Sequence, residues 1–155
     1  MLFFVMGVPG AFTDWCETAV MRLTERLYGP IELVRADTLA QLALNAIGSG
    51  ASQAVVSTCQ PGGGMCAALL ESRRNFIVAL DDPRTALLDL VLDRDIELAD
   101  AVQAVASASG ALGRCTAAPE ALILHRDRDW LDPTATAAAI AHHLRIGIDA
   151  GPSPN

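Results

Sequence analysis

Short apolar runs recur along the chain and alternate with stretches whose apolar residues are spaced as on a helix. A continuous apolar run such as Leu2–Met6 is typical of a strand buried on both faces of a parallel sheet. We predict strands at Leu2–Met6, Ile31–Val34, Ala54–Thr58, Phe76–Leu80 and Ala121–Leu124. The alternation of strands with helices predicts an α/β fold: a three-layer sandwich whose mainly parallel sheet of about four to five strands is flanked by helices.

The first predicted helix begins near Thr13 or Asp14, where Asp14 and Glu17 have the spacing of a capping box. Gly29 and Pro30 end it. Later helices are predicted at 38–47, around 66–73, from Pro83 through Val91, from Asp95 to about Leu112 and at 133–144, with Gly62–Gly64 in a loop. Of Asp81 and Asp82, one is expected to cap the helix that starts at Pro83.

The length of 155 residues predicts one domain over residues 1–150, followed by a flexible tail at 151–155. No apolar run approaches the roughly 18 residues of a membrane-spanning helix. The apolar start of the chain is short and has no basic region before it, so we interpret it as a strand and not as a secretory signal. We therefore expect a cytoplasmic protein that does not insert into membranes.

The formal net charge of −7 argues against a nucleic-acid partner. All eleven basic residues are arginines, which excludes every phosphate site that depends on a lysine. The four cysteines form no C-x-x-C pair and lack the usual zinc spacing, so we predict buried free thiols and no metal site. A disulfide or a metal-binding role is the alternative for these cysteines.

Three segments resemble the PAPS-dependent sulfotransferase family, whose fold is P-loop-like. PAPS is the activated sulfate donor, an adenosine nucleotide with a sulfated 5′ phosphate and a separate 3′ phosphate. Residues 3–15, FFVMGVPGAFTDW, resemble the family's first strand and phosphosulfate loop, F-x-x-G-x-P-R/K-S-G-T-T/S-W. Residues 76–89, FIVALDDPRTALLD, resemble its R-D/N-P-R-D…S segment, and residues 122–133, LILHRDRDWLDP, with 140–144, IAHHL, resemble its late L-R-Y-E-D-L-x-x-D-P stretch.

The resemblance also implies which residues should hold the donor, and most of them are replaced. Pro9 and Thr13 match the phosphosulfate loop, whereas Gly10 stands for its basic residue, Phe12 for its glycine and Asp14 for its second hydroxyl. In the second segment Asp81 stands for the arginine that grips the 3′ phosphate, Asp89 stands for the serine beside it, and Arg84 matches an arginine of the pattern. We therefore expect Asp14 to cap the first helix and fill the anion site from within.

These replacements predict a non-catalytic sulfotransferase-like protein without catalytic residues or cofactor, which acts as a protein-binding, assembly or accessory subunit. We expect it to associate with itself or with a protein partner. The alternative is a small sulfotransferase or nucleotide-binding enzyme with an altered PAPS site, in which Arg84, Arg126 or Arg128 supplies the missing cation. A third interpretation is an unrelated α/β domain.

Overall fold

The computed structural model describes residues 1–49 and 53–147, so the predicted tail at 151–155 lies outside the described residues. These residues form five strands and seven α-helices, and a π-helical turn, Asp89–Asp93, continues the fourth helix. In chain order the elements are β1 Leu2–Gly7, α1 Ala11–Tyr28, β2 Glu32–Arg35, α2 Leu39–Ser49, β3 Ala54–Thr58, α3 Gly63–Ser72, β4 Phe76–Leu80, α4 Pro83–Leu88, α5 Leu98–Leu112, β5 Ala121–His125, α6 Arg126–Asp129 and α7 Pro133–His143.

The strands form one parallel sheet in the order β2-β3-β1-β4-β5. Strand β1 is central, with Phe4 aligned to Val56 of β3 and Met6 aligned to Val78 of β4. Its apolar run is continuous because both faces of the sheet are covered. The predicted α/β sandwich with a parallel sheet and helices on its faces is confirmed.

Successive side chains of β1 belong to two separate cores, as the pleat requires. Phe3 and Val5 pack in the core that contains residues of α1 and α7. Phe4 and Met6 pack in the opposite core with residues of α2, α3, α4 and α5. The helices that follow β1 and β3 therefore lie on opposite faces, although these strands are neighbours. In open α/β sheets, ligands bind at such a switch point, outside the carboxyl ends of the strands.

The structure corrects two of the predictions from sequence. Helix α3 begins at Gly63, so Gly63 and Gly64 form its first turn instead of a loop. Cys66 of α3 and Cys115, which follows α5, form a disulfide with their Cα atoms 6.6 Å apart. Because 49 residues separate them, their spacing contains no sign of the pairing. Cys16 and Cys59 are free, as predicted.

Candidate functional site

The loops after β1 and β4, the start of α6 after β5 and the π-helical turn meet at the carboxyl edge of the sheet. Here the Arg126 guanidinium contacts two carboxylates: its Nη1 lies 3.0 Å from Asp81 Oδ2 and 2.9 Å from Asp89 Oδ2. The same Asp89 oxygen accepts a hydrogen bond of 3.0 Å from the backbone N–H of Ala11, the first residue of α1. We call Asp81, Asp89, Arg126 and the Ala11 N–H the Asp89 clamp.

In the Asp89 clamp, a carboxylate of the same chain lies where an external anion could otherwise bind. The first N–H groups of a helix have no partner within the helix, and they attract anions such as phosphate. In this protein Asp89 Oδ2 occupies that position on α1. Gly10 makes room for this oxygen, because a Cβ added there would lie only 3.3 Å from it, and the φ of 156° at Gly10 also favours glycine.

Aromatic packing holds the arginine of the clamp. The guanidinium carbon of Arg126 lies 4.6 Å from the centre of the Trp130 ring, within the range of a cation–π interaction. Trp130 stacks in turn on Phe12, with ring centres 5.7 Å apart. Phe12 is buried in the core beneath α1.

The charges of the clamp favour the contacts between Arg126 and the two carboxylates. Burial raises the pKa of Asp81, against the opposing effect of its hydrogen bond with Arg126. Desolvation lowers the pKa of Arg126, but its hydrogen bonds to Asp81 and Asp89 raise it more, so the guanidinium stays charged. With both carboxylates ionised, the clamp has a net charge of −1, which repels an incoming sulfate or phosphate group.

The prediction that Asp14 caps α1 is wrong. The helix starts three residues earlier, at Ala11, and Asp14 lies in its first turn with its N–H bonded to the Gly10 carbonyl. The Asp14 carboxylate pairs instead with Arg94, which follows the π-helical turn. The anion at the start of α1 comes from Asp89, 78 residues away, which no local sequence pattern reveals.

The other predicted site residues lie near the clamp without joining it. Thr13 is buried, and its hydroxyl donates to the carbonyl of Val8. Pro9 lies half-buried in the loop between β1 and α1. Arg84 is exposed at the start of α4, where its backbone N–H bonds to the Asp82 side chain that caps the helix, as predicted for this aspartate pair. Arg128 pairs with Asp129, so only Arg126 of the three proposed cations enters the site.

A second polar cluster, which the sequence analysis missed, lies beside the carboxyl ends of β2 and β3. The side chain of Glu17 in α1 is buried and accepts a short hydrogen bond from the hydroxyl of Ser57. Its two oxygens lie 3.4 and 3.3 Å from Nη1 and Nη2 of Arg35. Burial raises the pKa of Glu17, although Ser57 and Arg35 oppose the shift. The sequence analysis interpreted Glu17 only as part of a capping box. Its place on the inner face of α1 was the signal that could have indicated a buried carboxylate.

A cavity of about 380 Å³ opens next to this cluster, and the free thiol of Cys59 lines it. Burial, with the nearby charges of Glu17 and Asp37, raises the pKa of Cys59 to about 11. The thiol is therefore neutral at pH 7 and is not an activated nucleophile. A larger cavity of about 620 Å³ lies between α1 and α7, where Trp15 and Trp130 line it.

Within residues 1–49 and 53–147, no three acidic, histidine or cysteine side chains are grouped so that they could hold a metal ion. None of the helices in this part of the chain combines the length and apolar character needed to cross a bilayer. No model of a known protein family matches the chain, and no curated protein sequence matches it either.

Proposed function

We propose that this protein is a non-catalytic sulfotransferase-like protein that acts through its surface as a binding, assembly or accessory subunit. The observation that supports the proposal is the position of Asp89 Oδ2, which contacts both the Ala11 N–H and Arg126. The family resemblance implies that the phosphosulfate group of PAPS would need the start of α1. In this chain a carboxylate already holds that position.

Electrostatics opposes binding of the donor at this place. A PAPS molecule would have to displace Asp89 and would still face Asp81, whose side chain is 4% exposed. Two unit charges about 4 Å apart interact by roughly 4 kcal/mol at an effective dielectric constant near 20. Even one such repulsion, strongly reduced by solvent, weakens binding by an order of magnitude or more.

Exposed apolar side chains support the interaction part of the proposal. Leu88 and Leu92, 56% and 73% exposed, lie on α4 and the π-helical turn, and Leu98 and Val102 are exposed on α5. The two helices pack against each other. Exposed apolar side chains grouped on neighbouring elements are a mark of protein contact sites.

Two measurements test the proposal. Calorimetric titration with PAPS and with its desulfated product should show no binding at micromolar concentrations, and micromolar binding would refute the non-catalytic assignment. Native mass spectrometry should detect a self-associated species that Leu92→Ser disrupts. Leu44→Ser, at an exposed leucine on α2, is the matched control and should leave the native mass unchanged.

The expected cytoplasmic location has one observation against it, the Cys66–Cys115 disulfide. Structural disulfides persist mainly in oxidising compartments. Lysis of the cells in denaturant that contains an alkylating reagent, followed by mass spectrometry, distinguishes the two locations. A cytoplasmic protein should have all four cysteines alkylated, whereas an exported one should have two.

An enzyme with an altered PAPS site is the second candidate, and one observation favours it. Arg126 and the Ala11 N–H point at the same oxygen, so a cation and a helix start would face a ligand if Asp89 moved away. A crystal soaked with PAPS should then show the donor ordered against Gly10 with Asp89 displaced. Absence of binding at millimolar PAPS would exclude this candidate.

A further inference from the structure

The cavity beside the Glu17 cluster combines several polar side chains at the carboxyl edge of the sheet. Its volume of about 380 Å³ lies at the lower end of the roughly 300–1,000 Å³ that ligand sites occupy. It lies where β2 and β3 end and α2 begins, one strand away from the switch point at β1. Its polar lining consists of Arg35, Asp37, Gln41, Asn45, Ser57 and Cys59.

Hydrogen bonds to the backbone orient the two amide side chains of this cavity. Gln41 Oε1 accepts a bond of 2.8 Å from the Asp37 N–H. Asn45 Nδ2 donates a bond of 2.9 Å to the Arg35 carbonyl. These bonds fix which end of each amide is engaged, and they leave Asn45 Oδ1 without a donor among the residues that the structure describes.

The cavity has a negative charge that its surroundings do not balance. Glu17 matches the charge of Arg35, but Asp37 has no ion pair within residues 1–49 and 53–147. Asp37 Oδ1 accepts bonds from Thr58 Oγ1 at 2.6 Å and from the Gln60 N–H at 3.1 Å. These bonds hold the carboxylate in place while Oδ2 has no partner among the described residues.

We propose that this cavity binds a small organic molecule through its primary ammonium group, with Asp37 and Asn45 as the acceptors. A primary ammonium offers three N–H donors and one positive charge, which matches an unpaired carboxylate beside an amide oxygen. A quaternary ammonium has no such donors and is recognised by aromatic rings, and no aromatic side chain among the described residues lines this cavity. A divalent metal ion fits this cavity less well, because no three acidic, histidine or cysteine side chains of the described residues are grouped to hold one.

The test compares four probes by two-dimensional NMR of the ¹⁵N-labelled protein. Ethanolamine should shift the side-chain amide signals of Asn45 and Gln41 in a saturable manner. Choline, which lacks N–H donors, and ethylene glycol, which lacks the charge, should leave these signals unchanged. Magnesium chloride is the fourth probe and should not reproduce the shifts. The same shifts with choline or magnesium, or no saturable shift with ethanolamine, would overturn the proposal.

Three variants connect the binding to the cavity. Asp37→Asn removes the charge but retains the oxygen that accepts from Thr58 and Gln60, and it should weaken ethanolamine binding about tenfold or more. Gln41→Glu retains the acceptor for the Asp37 N–H, adds a negative charge and should strengthen the binding several-fold. Asp100→Asn makes the same change in charge on the exposed face of α5 and should have no effect.

The two cavity variants give independent answers. Dispersed amide signals would show that each variant is folded. If Asp37→Asn does not fold, the stronger ethanolamine binding expected of Gln41→Glu still tests the proposal. Equal affinities in the wild type and a folded Asp37→Asn, or no gain in Gln41→Glu, would refute the assignment of the ammonium to this cavity.

Discussion

Replacing Asp89 by alanine should create an anion site at the start of α1. In the wild type, Asp89 Oδ2 accepts from the Ala11 N–H at 3.0 Å and from Arg126 Nη1 at 2.9 Å. Asp89→Ala removes this acceptor and leaves both donors facing the vacated space. Asp81 still holds Arg126 at 3.0 Å, so the guanidinium should keep its position. The net charge of the clamp changes from −1 to zero.

The size of the effect follows from the distances. An anion about 4 Å from Asp89 would be repelled by roughly 4 kcal/mol at an effective dielectric constant of 20. The side chains of Arg126 and Asp89 are 25% and 13% exposed, so solvent reduces this value. We take about 1.5 to 3 kcal/mol as the gain, which corresponds to a roughly 10- to 100-fold lower Kd for sulfate. Without an anion, the variant should be less stable by about 2 kcal/mol, because charge-assisted hydrogen bonds are lost.

Thermal unfolding at increasing sulfate concentration measures both consequences. A ligand that binds only the folded chain raises its stability as the concentration exceeds the Kd. The Tm of Asp89→Ala should therefore start below the wild-type value and rise more steeply with sulfate. Asp93→Ala is the matched control, because it removes an exposed carboxylate from the same π-helical turn. If Asp89→Ala and Asp93→Ala respond equally to sulfate, the clamp does not exclude anions as we argue.

Three further predictions concern stability. Because burial raises the pKa of Glu17, its carboxyl favours folding at low pH, and this contribution is lost as the pH rises from the ordinary value of 4.5 through the folded-state pKa. The free energy of unfolding of the wild type should therefore fall relative to Glu17→Gln over this range in urea titrations. Reduction of the Cys66–Cys115 disulfide should lower the free energy of unfolding by about 2–4 kcal/mol, measured with and without reductant, and an unchanged value would contradict a stabilising role. A Cβ at Gly7 would lie 2.2 Å from the Thr13 hydroxyl, so Gly7→Ala should cost about 1–3 kcal/mol in the same assay, and the added change Thr13→Ala should recover part of it.

The sequence was sufficient to predict the layers of the fold because the inner strands β1 and β4 are continuous apolar runs. The predicted limits of β3 and β4, Ala54–Thr58 and Phe76–Leu80, agree with the structure. Helix starts were less predictable, because α1 begins at Ala11 where a glycine and a distant carboxylate replace a local side-chain cap. The pattern of apolar residues did not indicate the π-helical turn, since Asp89–Asp93 continues the apolar spacing of a helix.

The candidate site was predictable in its location and in its charge, but not in its contacts. Asp81 and Asp89 were both predicted as anions at positions where the family pattern has an arginine and a serine, and the structure places both against Arg126. Which carboxylate would reach α1 depended on the packing of segments 78 residues apart. The helical spacing of α1 was a signal for the inward position of Glu17, but its pairing with Arg35 depended on how α1 packs over β2 and was not predictable.

The two clusters share one electrostatic arrangement, which connects this fold to the proposed function. Each joins an arginine at the carboxyl edge of the sheet to carboxylates of the same chain: Arg126 to Asp81 and Asp89, and Arg35 to Glu17. An enzyme that binds a doubly phosphorylated donor needs cations at this edge whose charge is free for the ligand. Since the internal carboxylates neutralise these arginines and are held within hydrogen-bond distance, an external anion has to displace them at a large entropic disadvantage. The arrangement therefore leaves the charge of neither arginine free for an external anion, which is what the proposed non-catalytic function requires.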